Sequence, residues 1–373
     1  MDLQIDVISR LCQMPTCAGD RTLLVRRSMR RMLGYGREPE ECICGDCMRA
    51  ILTRKLTGTA GLELVDMPAP EPGACHVRID VEAAGVNFAD ALMLEGRYQV
   101  KPGLPFVPGL EVAGRVGSVG VGVSGLSPGQ RVLALVDHGG FAEQVVARAD
   151  DVIDLPDDLD SATAAGFAIA YGTAYGALVW RAALARGETL LVHGAAGGVG
   201  LTAVECGKAI GALVIATARG ADRTAIASAH GADHVIDSEA PDFVDRVRAL
   251  TAGRGVDVVF DPVGGTLFDA SLRCLAWEGR IVVIGFASGT IPQIPANILL
   301  VKNIAALGFY WGSYRRHDPE RLRAGFRQLF KWYKDGVIRP TVTEVLPLAE
   351  TASAIDRLRR RQTTGKLVVD VRR

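Results

Sequence analysis

The chain has 373 residues, 42 basic against 42 acidic side chains, and 49% hydrophobic residues. A domain typically runs to about 100–200 residues, so this length points to two. Zero net charge exerts no pull toward nucleic acid or a membrane surface, and no apolar run reaches the roughly 18 residues of a membrane-spanning helix. Five of the eight cysteines fall in the first 47 residues, and Cys75, Cys206 and Cys274 are far apart. Those last three suggest no disulfide framework among themselves, and a reducing, cytoplasmic setting fits them best.

Residues 1–47 read differently from the rest. They lack sustained strand alternation and end in REPEECICGDC, after which MRAILTRKL has the character of a first strand. The stretch is expected to be a disordered or mis-annotated extension, with Met48 as the natural start. Its arginines are mixed with Asp2, Asp6 and Asp20, unlike a transit peptide. The cluster Cys42-x-Cys44-x-x-Cys47 matches no specific zinc spacing, so no metal is expected there.

From 48 to 165 short alternating runs such as HVRIDVEAAGV, EVAGRVGSVG and QRVLALV are broken by Gly and Pro. This predicts a compact, barrel-like β domain. From 166 to 308 the rhythm changes. Apolar strands at 189–194, 213–218, 234–237, 256–262, 280–286 and 304–310 alternate with helical stretches. Continuous Val/Ile/Leu strands between helices mean a parallel sheet covered on both faces, and six such strands make a full dinucleotide-binding fold. Residues 309–373 return to mixed character, with a helix near 319–335 and a last strand at 366–371. The fold class is therefore α/β.

The first strand of the second region runs into HGAAGGVG. Ala195, Gly197, Gly198, Val199 and Gly200 form a glycine fingerprint, with alanine in its first position. Small residues here let the chain turn sharply, let backbone approach a pyrophosphate and let the helix pack on the strand. The helix N-terminus then offers free N–H groups to phosphate. The second strand ends Ala216-Thr217-Ala218-Arg219, without the carboxylate that would bind an NAD ribose. Arg219 and Arg223 suit a 2′-phosphate instead, so the expected cofactor is NADPH. Asp222 between them weighs the other way, and a pair of solvated arginines is the plain alternative.

With these features in place, the chain resembles the medium-chain dehydrogenase/reductase superfamily, and within it the quinone oxidoreductase (zeta-crystallin) branch and its quinone oxidoreductase-like members. AAGVNFAD, LPFVPGLEVAG, VHGAAGGVGL, GVDVVFDPVGG, IGFASG and TGKLVV carry the likeness over nearly all of 48–373. The resemblance implies a GroES-like β-barrel catalytic domain (48–165), a Rossmann domain (166–308) and a return segment (309–373) completing the first. It implies a zinc-free site, because zinc members place a cysteine at the position of Asn87 and a histidine at that of Leu110. His138 and His193 stand alone and read as structural.

It further implies that Asn87 and Tyr98 serve catalysis, the asparagine amide donating to a carbonyl oxygen and the tyrosine donating a proton or orienting water. Asn87 equally suits a turn cap and Tyr98 equally suits packing. Thr173, Ile284, Gly285, Phe286, Tyr310 and Lys366 would line the nicotinamide side. Tyr171, Tyr175, Trp180 and Trp311 suit either pocket or core. Leu92 stands where many quinone oxidoreductases carry a second tyrosine, which makes the pocket more apolar. The activity implied is hydride transfer to a quinone or an α,β-unsaturated carbonyl compound. An enoyl-thioester reductase and a redox-silent NADPH-binding regulatory or RNA-binding protein are the alternatives. Neutral charge argues against nucleic acid. The family pairs sixth strands edge to edge, which implies a homodimer or homotetramer.

Overall fold

The computed structural model describes residues 47–373; the expectations for residues 1–46, including Cys42 and Cys44, lie outside the described residues. β1 (Cys47–Thr53) and β2 (Leu62–Pro68) form an antiparallel ribbon. β3 (His76–Gly85), β4 (Glu111–Val119), β5 (Arg131–Leu135), β6 (Gln144–Arg148) and β7 (Val152–Asp154) follow, with α1 (Phe88–Leu94) between β3 and β4. Val77, Ile79 and Val81 of β3 are buried while Arg78 and Asp80 face outward, the period-two pattern of a half-covered antiparallel sheet.

α2 (Ser161–Ala165) and α3 (Ala168–Tyr175) lead into the second sheet. It contains β8 (Thr189–Val192), α4 (Gly198–Ile210), β9 (Leu213–Ala218), α5 (Ala221–Ala229), β10 (His234–Asp237), α6 (Phe243–Leu250), β11 (Val256–Asp261), α7 (Gly265–Cys274), β12 (Leu275–Val283), α8 (Ala296–Lys302) and β13 (Ala305–Gly308). The six strands are all parallel, in the order β10-β9-β8-β11-β12-β13. Counted along the chain this is 3-2-1-4-5-6, the doubly wound order whose switch point lies between the first and fourth strands. Every residue of β8 is buried, as a strand covered by helices on both faces requires.

The chain closes with α9 (Tyr314–His317), α10 (Pro319–Lys334), β14 (Val342–Pro347), α11 (Thr351–Arg359) and β15 (Lys366–Asp370). α10 starts at the Asp318 cap with Pro319 next, and buries Leu322, Phe326 and Leu329 on one face. β14 and β15 do not extend the parallel sheet. They join the first one, in the order β14-β15-β3-β4-β5-β7. β3 shares one edge between two partners: residues 76–80 pair with β6 and residues 83–85 with β15. The last strand is thus seated beside Gly85, two residues before Asn87.

Candidate functional site

The candidate site is built from two groups of residues, joined through Gly365 and Lys366. The first is the glycine loop. β8 ends at Val192, the chain turns through residues 193–197, and α4 begins at Gly198. A Cβ at Gly200 would lie on the carbonyl oxygen of Gly194, so glycine is what allows the helix to sit this close to the loop. Ala195 N–H donates to Thr217 O at 2.9 Å, tying the loop to the end of β9. The first-turn N–H groups of α4 form the electropositive end of a 13-residue helix, a phosphate cradle by geometry. Beneath it His193 is fully buried between Thr217 Oγ1 (2.9 Å) and Ser271 Oγ (2.7 Å). Burial pushes its pKa down. It is a hydrogen-bonded core histidine, not a ligand.

The adjoining strand ends are fixed by Asp261 at the close of β11. Its Oδ1 accepts from Val263 N–H (2.8 Å) and Gly264 N–H (2.9 Å). Its carbonyl accepts from Ile284 N–H (2.9 Å) and Gly285 N–H (3.4 Å). Ile284, Gly285 and the half-exposed Phe286 therefore sit beside the glycine loop, at the carboxyl edge of the sheet. Thr173 is nearly buried on α3. Arg219 and Arg223 follow β9 as expected. Arg219 reaches Glu239 at 3.5 Å, and Arg223 donates to the carbonyl of Arg361, so each has a partner in this structure.

The second group is a buried polar cluster around the start of α1. Asn87 precedes the helix, and its N–H donates to Asp90 Oδ2 at 2.7 Å. The carboxamide does not point outward as a free donor. Nδ2 donates to Gly85 O (3.2 Å) and Glu111 Oε1 (2.9 Å), and Oδ1 accepts from Lys366 Nζ (2.6 Å). Both amide hydrogens are engaged inside the chain in this structure, whereas the resemblance implied a donation from Asn87 to a substrate carbonyl. Lys366 differs in the same way from the cofactor contact expected of it. Its ammonium is turned inward onto Asn87 Oδ1, Val86 O (3.0 Å) and Glu111 Oε1 (2.7 Å).

Glu111 completes the cluster: its Oε2 accepts from Ile169 N–H at 2.8 Å. Gly85 is required here, since a Cβ would collide with Glu111 Oε1 and Ala165 O. Asp90 is fully buried, and its Oδ1 has no hydrogen-bond partner. Burial pushes its pKa up to about 7, against the pull of the Asn87 N–H and the Lys366 charge. Beyond the Asn-x-x-Asp spacing, a variant of the capping box, nothing in the sequence singles out Asp90, and Glu111 stands there only within the motif LPFVPGLEVAG.

Tyr98 and Tyr310, placed apart in the sequence, are brought together. Their rings meet edge to face with centroids 6.4 Å apart. Burial, then the neighbouring Tyr310, raises the Tyr98 pKa, so the phenol keeps its proton across the neutral range. Tyr171, Tyr175, Trp180 and Trp311 resolve as packing. Tyr171 stacks on Phe167 and donates to the buried Glu205, Tyr175 and Trp180 pack edge to face, and Trp311 is buried against Phe326.

Residues 73–157 match the alcohol dehydrogenase GroES-like domain, and residues 198–331 match the family described as zinc-binding dehydrogenase. A quinone oxidoreductase-like protein 2 homolog from Nematostella vectensis is 42% identical over 303 residues, 80% of this chain and 83% of the relative. The chain belongs to the quinone oxidoreductase-like medium-chain dehydrogenases/reductases. Solved members share its fold. A mycobacterial protein complexed with NADPH has a TM-score of 0.82 at 35% identity, covering 87% of this chain and 100% of that one. Escherichia coli quinone oxidoreductase complexed with NADPH has a TM-score of 0.81 at 30% identity, with the same coverage. The first sheet is accordingly the GroES-like domain of this superfamily and the second its Rossmann sheet.

Zinc, named in one family description, does not fit these residues. The positions of its ligands in zinc members hold Asn87, whose carboxamide is fully engaged, and the buried, apolar Leu110. Among the described residues no three His, Cys, Asp or Glu side chains converge as a metal site, and catalytic zinc needs three such ligands. Nor is any helix of the described residues long and apolar enough to cross a membrane.

Proposed function

We propose that this quinone oxidoreductase-like chain is a zinc-independent NADPH-dependent reductase of quinones or α,β-unsaturated carbonyl compounds. The observation that carries this reading is the glycine loop built against the start of α4, with Arg219 and Arg223 following the adjacent strand. Gly197, Gly198, Val199 and Gly200 would hold the pyrophosphate. Arg219 and Arg223 would turn from Glu239 and the Arg361 carbonyl to the 2′-phosphate. Ile284, Gly285, Phe286 and Thr173 would flank the nicotinamide. Bound there, NADPH would supply a hydride to the acceptor, whose carbonyl oxygen would take up a proton as the enol or hydroquinone forms. Tyr98, protonated and packed against Tyr310, would orient that oxygen or its water. Asn87 shapes the pocket through the N-terminus of α1, not as a free amide donor.

The test follows NADPH absorbance with quinones, 2-alkenals, enones and an enoyl thioester, using NADH and added chelator as controls. Turnover that prefers NADPH and ignores chelator is expected, and the best acceptor names the substrate class. Measurable NADPH binding with no turnover on any acceptor overturns the reductase reading in favour of a binding role. The assembly we propose is a dimer through β13, an edge strand flanked by the exposed Leu300 and Val301. A monomer mass by light scattering overturns that part.

A further inference from the structure

The NADPH reading leaves Lys366 unexplained. Its ammonium has three hydrogens, and three oxygens of the chain accept within 2.6–3.0 Å. Nothing remains for a ligand, and the side chain is 8% exposed. A buried cation needs a partner, and Glu111 supplies it. The four elements tied by this pair are β15, β4, the start of α1 and the start of α3 through Ile169. The residue before it does something else. Gly365 forms a bridge to Gly197, and its N–H donates to Ala196 O at 2.8 Å. The lysine stem then passes under the helix start: a Cβ at Gly198 would be 3.5 Å from Lys366 Cδ. Two consecutive residues therefore touch the phosphate loop and the base of the acceptor pocket, with no slack between them.

We infer that Lys366 is a positioning residue, which fixes the Asn87 carboxamide and, through Gly365, makes the order of the α1 N-terminus respond to dinucleotide on the glycine loop. Anion binding that draws in the N–H groups of 197–200 shifts the strand paired with Gly197, and the shift reaches Asn87 through one side chain. Such a link has a coupling free energy, and it must appear in both directions.

This inference rests on the NADPH reading, and the experiment separates the two. Hydrogen exchange is followed on peptides covering 194–204 and 87–97 of the full chain, with and without NADPH. Wild type is expected to show slowed exchange in both. Lys366→Met is expected to keep protection of 194–204 and to lose that of 87–97, with acceptor kcat falling about tenfold and the KM for NADPH little changed. Removing one partner of a buried pair can unfold a protein, so Lys366→Met/Glu111→Gln, which leaves no unpaired charge, is run beside it and is expected to give the same split. The double variant Lys366→Met/Asn87→Ala should be no slower than the slower single variant, because the lysine acts through the asparagine. Equal protection of 87–97 in wild type and in the variants, or additive losses in the Asn87 cycle, overturns the inference. If NADPH protects neither segment of the wild type, the cofactor reading fails and this inference falls with it.

Discussion

The two halves of the candidate site are built on opposite principles. The proposed dinucleotide side would work by absence: Gly200 leaves the room that a Cβ would take from the Gly194 carbonyl, Gly194 adopts a positive φ, and backbone N–H groups would do the binding. The acceptor side works by presence, with Asn87, Asp90, Glu111 and Lys366 all buried and bonded mainly to one another. A site lined by backbone tolerates no added atoms. A site founded on a buried ionic network tolerates no lost partner. The first fails by steric exclusion and the second by electrostatic imbalance, so they should respond to different substitutions and different conditions.

The largest effect is expected where an atom is added. Gly200→Val sets side-chain carbon against the Gly194 carbonyl, and NADPH affinity by fluorescence titration should fall at least about 100-fold, or about 3 kcal/mol. Retained affinity would mean that the loop is not the phosphate site.

The acceptor side should show its character in pH. Asp90 has a folded pKa of about 7, raised from the ordinary 3.8 by burial. Between those values the folded state binds more protons than the unfolded one, so stability is greatest at the acid end and is lost as pH rises toward 7. The Asp90 contribution amounts to about 4 kcal/mol across the window. Asp90→Asn, an uncharged isostere of the protonated acid, should flatten this slope in urea unfolding at pH 5 and pH 8, and be the more stable protein at pH 8. An unchanged slope would show that Asp90 is ionised in the fold.

Smaller effects sharpen the contrast. Arg219→Ala and Arg223→Ala should each raise the NADPH Kd about tenfold and leave the NADH Kd unchanged, since the contacts they also lose, to Glu239 and the Arg361 carbonyl, are exposed and common to both cofactors. Parallel losses for both cofactors would assign the arginines to structure. Tyr98→Phe should lower kcat about tenfold with NADPH binding intact. An unaltered kcat would return the Tyr98–Tyr310 pair to packing.

The two halves also differed in how far the sequence revealed them. The glycine loop is local: a strand, a turn and a helix within a dozen residues. Its spacing is therefore readable, as are β8, β9 and β11, whose apolar runs follow from burial on both faces. β12 begins at Leu275, earlier than its Val/Ile run suggests, because it continues directly from α7. The acceptor cluster is non-local. Lys366 meets Asn87 across 279 positions and Asn87 meets Glu111 across 24. Resemblance flagged Asn87 and Lys366 as important, but only the coordinates show that they bond to each other. The aromatic residues were ambiguous for another reason. Whether Tyr171 or Trp311 lines a pocket or a core depends on where α10 lands, and its amphipathic pattern does not say.

The seating of β15 has a consequence for how the molecule comes into being. Lys366 joins a carbonyl 280 positions earlier in the chain. A ribosome has finished the entire parallel sheet before the strand that completes the first one is available. Throughout that interval the edge of β3 at residues 83–85 and the carboxylate of Glu111 await their partners. Pairings of such long range are slow and leave exposed edges in the meantime. The buried cation of the cluster around Asn87 is thus among the last groups of the chain to be made.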